Sequence, residues 1–310
     1  MGKAAVKISL IIPVYNQKET MQIVFESIKK QENIEKEMYE IILVNDGDGQ
    51  KYEDIFEEYL NYNVHIIYHD TNLGRAAARN SGARLAQGDI LIFNDGDRFL
   101  SPRFIWNHYI SHKKGKNSVV IGDIAEVFEK TYEKYLRAVP VMFEDTNNKI
   151  WRYIRRYNYA EQVLKIYNAE GTTDCPVPWI TLFSGNFSIR KSDFLLSGGF
   201  NEKFKTWGYE NIEFGYRLFQ HGIKYKYAAD AVNFHIYHYQ NRGKEFPTML
   251  EGDLLGEFDV SVWERYIDFL KGKKSIGEIS GTNSHMNEDS IYFVKNKLGT
   301  RYTWKSKGGE

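Results

Sequence analysis

The sequence predicts an α/β protein, a mostly parallel sheet with flanking helices. Three observations predict it. Short apolar runs alternate with stretches of helical periodicity through the first 128 residues, the pattern of strands joined by right-handed crossovers. Each run ends in polar residues: Tyr15 and Asn16, residues 46–48, residues 70–72 and residues 95–97. Open α/β sheets bind ligands outside the carboxyl ends of their strands, so these clusters are expected to converge on one crevice. The composition, 42% hydrophobic and 26% charged over 310 residues, supports a folded core and excludes a disordered chain.

The elements follow in order. Residues 7–14 (KISLIIPV) read as a buried strand ended by Pro13 and Asn16. Met21, Val24, Phe25 and Ile28 then recur at helical spacing. Residues 39–45 (YEIILVN) form a second strand, closed by DGDG turn chemistry. Ile55, Phe56, Tyr59 and Leu60 suggest a short helix, and residues 64–69 a third strand. The Ala-rich residues 74–86 favour a helix stopped by Gly88. Residues 89–94 and 117–128 hold two further strands. Residues 149–167 read as one amphipathic helix or flap, residues 200–222 as a loop entering a helix, and residues 225–239 as a strand. Beyond Gly243 the signal weakens, and residues 271–290 and 304–310 read as loop or tail. Three segments result: 1–128, 129–243 and a C-terminal extension, 244–310.

Lys plus Arg and Asp plus Glu are both 41, so formal net charge is zero and a basic nucleic-acid binder is not expected. The single cysteine, Cys175, allows no internal disulfide. No apolar run approaches the roughly 18 residues of a membrane helix, and no signal-peptide layout precedes the first strand. The expectation is a cytoplasmic protein, with peripheral membrane attachment as the variant.

Asp95, Gly96 and Asp97 directly follow a buried strand. Two carboxylates bracketing a glycine can hold a hard divalent cation, yet Asp-Gly is equally a common turn pair. The same ambiguity attends Asp46, Gly47 and Asp48.

Four blocks taken together decide the context: SLIIPVYNQ (9–17), IILVNDGD (41–48), NLGRAAARNSGARLAQGDILIFNDGD (72–97) and SGNFSIRKSDFLLSGGFNEKFKTWGYENIEFGYRLFQHG (184–222). As an ordered set they resemble the family 2-type nucleotide-sugar glycosyltransferases of GT-A fold. The last block resembles the WGxE(D/N)xEF segment of galactosyltransferases and polypeptide N-acetylgalactosaminyltransferases. The resemblance implies a UDP-sugar donor, Mn²⁺ or Mg²⁺, and a glycan or glycoconjugate acceptor. It implies that Pro13, Tyr15 and Asn16 meet the nucleotide, Asp46 reads the base, and Arg75 and Arg79 face the phosphates. Asp95 and Asp97 match the DXD motif, Asp95 toward ribose or sugar and Asp97 toward the metal. Gly185, in Ser184-Gly185-Asn186, matches a segment approaching the donor.

In the acceptor block, inverting members carry an Asp base where this chain has Asn211. An amide cannot take a proton, so Glu210 and Glu213 remain as candidate carboxylates. Glu213 has the alternative of merely complementing the helix dipole. An Asn at this position is normal in the retaining polypeptide transferases. The resemblance makes His235 the residue that completes the metal shell; His238, three residues on along a strand, would face the other way. Asn211 is also a plausible helix N-cap. Trp179 and Trp207 are either sugar platforms or core, whereas Trp151 reads as core. A sugar-binding protein without catalysis is a second reading; a nucleotidyltransferase is disfavoured because PVYNQKE (13–19) lacks a Gly-rich phosphate loop.

Overall fold

Nine strands form a single mixed sheet in the computed structural model, which describes residues 6–56, 62–113, 115, 117–205, 209–237, 260–270 and 273–280. In chain order the elements are β1 (Ile8–Val14), α1 (Lys18–Lys29), β2 (Tyr39–Asn45), α2 (Glu53–Phe56), β3 (Val64–Tyr68), α3 (Arg75–Leu85) and β4 (Ile90–Asn94). Next come β5 (Arg98–Leu100), α4 (Phe104–Lys113), β6 (Ser118–Val127), α5 (Tyr132–Ala138), β7 (Ile154–Arg156), α6 (Asn158–Val163), β8 (Asn186–Arg190) and α7 (Lys191–Leu196). The described chain closes with α8 (Glu210–Gln220), β9 (Lys224–Ile236), α9 (Val260–Leu270) and α10 (Ile276–Ser280).

The strand order is β3-β2-β1-β4-β8-β6-β9-β5, with β7 on the distal part of β6. The first four strands are parallel, as their alternation with helices predicts. Beyond β4 the sheet turns mixed. β8 runs antiparallel to both β4 and β6, β9 is parallel to β6, and β5 and β7 are antiparallel to their partners. The α/β class and flanking helices stand, but the strand at 117–128 is separated from the parallel block by β8, drawn from much later in the chain.

The apolar runs are buried on both faces. Ile8, Leu10 and Ile12 point to one side, against Met21, Val24 and Phe25 of α1. Ile11, Ile42 and Val44 point to the other, against Ala76, Ala78 and Ala83 of α3. That second core continues through Phe93, Phe187 and Phe214 to Tyr266, Phe269, Ile276 and Ile279 of the last two helices.

Three sequence expectations change. Residues 149–167 are not one helix: a 3-10 turn at Lys149–Tyr153 leads into β7, then α6, then a second 3-10 turn at Leu164–Ile166. Ile154–Arg156 pair with the far end of β6, and that ladder outweighs local helical periodicity. Within 271–290, Ile276–Ser280 is helical and packed on the core rather than loop. Asn211 is not the N-cap of α8; Tyr209 is, in the left-handed region at φ 67.

A polar cluster is buried between α4 and the sheet. His108 pairs with Ser188 Oγ (2.9 Å) and Asn186 Oδ1 (3.0 Å), and His112 Nε2 pairs with the same Ser188 hydroxyl (2.8 Å). Burial pushes His108 down to about 4 and His112 down to about 3, the second helped by His108, Arg190 and Lys226. Both are therefore neutral in the fold and bind protons only on unfolding. Their contribution is intact above the unfolded value of about 6.5 and is lost as pH falls toward the folded values, by about 1.4 kcal/mol per pH unit for each histidine. Urea midpoints should accordingly drop steeply between pH 6.5 and pH 5; a flat profile over that interval would contradict the buried, neutral assignment.

Candidate functional site

The parallel half of the sheet delivers its polar ends to one pocket. Of the residues expected there, Pro13, Tyr15, Asp46, Arg75, Asp95 and Asp97 line it together, joined by Gln17, Asn72 and Lys205. Asn16 sits at its edge with φ 54, its backbone N–H donated to Asp48 (2.7 Å).

The two Asp-Gly-Asp triplets differ in their work. Asp48 is a turn residue, accepting from Gln50 N (2.8 Å), Asn45 Nδ2 (2.6 Å) and Tyr52 OH (2.8 Å). Asp46 is buried and pairs with His69 Nδ1 (2.8 Å) while accepting from the backbone N–H of Leu73 (2.9 Å) and Gly74 (2.9 Å). It ties the end of β2 to the entry of α3.

Asp95 and Asp97 form the other triplet. Arg79, 0% exposed, donates to Asp95 Oδ1 (2.7 Å) and to Glu210 Oε1 (3.3 Å). Arg98 lies 3.7 Å from the second Asp95 oxygen. Burial raises the Asp95 carboxyl, but Arg79 and Arg98 outweigh it and hold the group below its ordinary value against the opposing charge of Asp97. Arg79 is thus turned into the protein between two carboxylates, while Arg75, exposed on the preceding turn of α3, faces the pocket.

Gly185 lies under Asp95. A Cβ there would stand 2.3 Å from Asp95 Oδ2 and 3.1 Å from Arg98 Nε, so only glycine lets the β8 lead-in pass. Asn233 Nδ2 fixes the same peptide through the Gly185 carbonyl (2.6 Å).

His235 is brought beside Asp97. Its ladder neighbours are Arg98 on β5 and Glu126 on β6. Nε2 is 3.4 Å from Asp97 Oδ2, and Nδ1 is 2.7 Å from Glu126 Oε2. Burial disfavours the imidazolium, but Asp97 and Glu126 overcome it and push His235 up to about 9. Once a cation displaces the Nε2 proton, one carboxylate and one imidazole nitrogen make a donor pair that fits Mn²⁺ or Mg²⁺, and the Glu126 contact on Nδ1 orients the ring as outer-shell carboxylates do. Among the described residues, no group of three or more His, Cys, Asp or Glu side chains converges as a complete metal cage.

The acceptor-block residues are placed differently. Glu210 opens α8 and is buried against Arg79, behind Asp95. Asn211 Nδ2 donates to the Leu182 carbonyl (2.6 Å), pinning α8 to the loop before β8. Glu213 is not brought to the pocket: Arg217 takes both its oxygens and also donates to the carbonyls of Ser197 and Gly199. Trp179 is 1% exposed and packed on Tyr216 and Tyr266, and Trp151 lies in the core beneath Phe234, donating to the Met142 carbonyl (3.0 Å). Trp207 and His238 lie outside the described residues.

Sequence reasoning missed Glu126, Arg98 and Lys205. A carboxylate inside the apolar run of 117–128 was the available signal for Glu126, and adjacency to the second triplet the signal for Arg98.

Comparison with known proteins places the chain and its fold. The family model described as "Glycosyl transferase family 2" matches residues 9–175, and one described as "N-terminal domain of galactosyltransferase" matches residues 165–240. The chain is 26% identical over 251 residues to the chondroitin synthase of Escherichia coli, covering 78% of this chain and 36% of that protein's length. Among solved structures it superposes on GalNAc-T7 with UDP, GalNAc and Mn²⁺ (TM-score 0.60, 16% identity, 94% of this chain and 54% of that one). It also superposes on S. aureus TarS in complex with UDP (TM-score 0.54, 16% identity, 75% and 61%). The fold is therefore GT-A.

Removing Arg79 leaves two carboxylates near each other without their shared cation. Arg79→Met should cost about 3–5 kcal/mol of stability, read as a large fall in thermal midpoint. Gly185→Ala should keep the fold but displace Asp95, so that ligand binding in the pocket falls while the unfolding midpoint moves by far less than for Arg79→Met.

Proposed function

The chain belongs to glycosyl transferase family 2, whose model covers more than half of it, and from that premise we propose that it transfers a sugar from a UDP-sugar to a hydroxyl of a glycan or glycoconjugate acceptor. The observation that carries the reading is the pocket at the ends of β1, β2 and β4, where Asp95 and Asp97 meet Arg75 beside Tyr15 and Asp46. Pro13, Tyr15 and Asn16 take the nucleoside side, with Asp46 shaping the base end. Arg75 faces the diphosphate, and Asp95, braced by Arg79 and Arg98, faces the ribose or the sugar. No described helix is long and apolar enough to cross a membrane.

Asp97 and His235 are the residues that would hold Mn²⁺ or Mg²⁺. Bound there, the ion supplies charge neutralisation for the departing diphosphate. Glu126 keeps the His235 ring turned toward Asp97. Glu210 and Arg79 keep Asp95 in register with α8.

The acceptor hydroxyl must lose a proton as its oxygen bonds to the sugar C1. In an inverting reaction a carboxylate takes it, and Glu210 has to leave its contact with Arg79 to do so. In a retaining reaction the departing diphosphate oxygen takes it. The Asn211–Leu182 bond favours the retaining reading, because position 211 is a structural donor and Glu213 is engaged by Arg217.

The reading is tested by incubating the protein with a panel of UDP-sugars and Mn²⁺ and following release of UDP. Slow hydrolysis of one donor is expected; binding without hydrolysis or transfer would leave a sugar-binding protein instead. Asp97→Ala should lower metal-dependent turnover by at least ~10²–10³-fold with the fold kept, since it removes a charge acting on the leaving group. Wild-type turnover by this variant would end the metal assignment. The configuration at C1 of the product, read from NMR couplings, separates the two proton routes: retention would exclude Glu210 as base. With inversion, Glu210→Gln should cut transfer by ~10²-fold or more at near-normal donor binding.

A further inference from the structure

We propose that Lys205 is a second protein cation on the leaving diphosphate, acting beside Arg75; the proposal rests on the reading of the pocket as a UDP-sugar site. Three carboxylates line that pocket, and each already has its countercharge or its donors. Asp46 is held by two backbone N–H groups and His69, Asp95 by Arg79 and Arg98, and Asp97 by His235. Arg75 and Lys205 line the same pocket, yet among the described residues neither makes an ion pair with a carboxylate. Arg75 acts on Asp95 and Lys205 on Glu202 only through space, with no close ion pair, so these two cations bordering the cleft define where an anionic ligand group is attracted. The floor of the cleft, Asp95 and Asp97, repels a diphosphate unless such cations are present.

Lys205 is not a lysine swinging on a free loop. The segment that carries it is clamped to α3. Asn80 Nδ2 donates to the Phe200 carbonyl (2.8 Å) and to Glu202 Oε1 (2.9 Å), and Phe200 N donates back to Asn80 Oδ1 (2.9 Å). Phe204, next to Lys205, is buried. The Lys205 backbone then lies against Gly74, where a Cβ would meet its carbonyl oxygen at 3.0 Å and its Cα at 3.2 Å. Gly74, at φ 95, is the residue immediately before Arg75. The contact therefore fixes the roots of the two side chains next to each other at the mouth of α3.

The chemistry follows from charge. As the C1–O bond to the diphosphate breaks, its electron pair stays on the phosphate oxygen. The acceptor oxygen makes the new bond to C1, and its proton leaves to a carboxylate or to that phosphate oxygen. Negative charge on the diphosphate grows through the step, so an ammonium held beside it stabilises the transition state more than the ground state. Lysine suits this as a compact point charge. An ammonium–phosphate contact is charge-assisted and carries no information about the base or the sugar.

The test is calorimetric titration of the full chain with uridine, UMP and UDP, with EDTA and again with Mn²⁺, at two salt concentrations. Lys205→Met should weaken UDP about 10- to 100-fold, leave uridine within about twofold, and reduce the salt dependence of UDP binding; Lys205→Arg should recover most of the loss. Lys205 is exposed, so the fold is expected to survive, and the thermal midpoint checks it. Unchanged UDP affinity in Lys205→Met would overturn the proposal alone. An equal loss for uridine and UDP would also overturn it, showing a role in loop position only. Failure of the wild-type chain to bind UDP would overturn the reading of the pocket and this proposal with it.

Discussion

A guanidinium with no access to water is the constraint on which the site depends. Arg79 is 0% exposed, and a charge so placed is tolerable only if carboxylates surround it. Its two partners come from distant parts of the chain: Asp95 at the end of β4 and Glu210 at the head of α8. The Phe200 ring lies 5.5 Å from the same guanidinium. Satisfying one cation thus draws a crossover helix, a strand end and a helix more than a hundred residues later to one point. The orientation of Asp95 toward the pocket is a by-product of that neutralisation, and Gly185 beneath it leaves room for the carboxylate. Tyr209, immediately before Glu210, is a bulky residue in the left-handed region, a strained conformation at the head of the helix that carries Glu210 to Arg79.

The second organising element is the long strand β9. It pairs with β6 along most of its length and with β5 immediately after the triplet, which sets His235 between Arg98 and Glu126. Ile236 N also donates to the Asp97 carbonyl (2.8 Å), so the Asp97 peptide and the His235 side chain are held by the same strand. The geometry of the metal-side donors is therefore a backbone property, less sensitive to side-chain freedom than a loop-borne site.

Much of this was legible in the sequence because it was local. Buried parallel strands announce themselves as apolar runs, and strand ends followed by Asp-Gly-Asp or an Ala-rich, Arg-bearing helix mark a crevice without any knowledge of contacts. Asp95 and Asp97 stand out that way; Arg75 and Arg79 came only with the family resemblance, and Arg79 is turned inward onto Asp95 and Glu210. What was not legible depends on pairing between remote segments. The antiparallel insertion of β8 between β4 and β6 leaves no periodic trace, and residues 154–156 become strand only because β6 is there to receive them. Glu126 looked like a polar interruption until β9 lay beside it. Asn211 looked like a lost base and a helix cap; its amide instead answers a carbonyl at Leu182, a donor role that a carboxylate fills only when protonated. Glu213 showed the opposite failure, a well-placed carboxylate in the motif whose charge is consumed by Arg217 four residues on.

The insertion of β8 also governs the order in which the molecule can be made. A ribosome finishes β1, β2, β3 and β4 together with their helices long before it reaches the strand that covers the outer edge of β4. With roughly a hundred residues between them and synthesis at about 5–20 residues per second, that edge stays unpaired on the nascent chain for some 5–20 s. An open edge of Ile, Leu and Phe is a template for pairing with any other extended chain. The emerging half thus carries an open strand edge until residues 186–190 arrive, and the architecture that assembles the site leaves its own synthesis exposed to edge pairing.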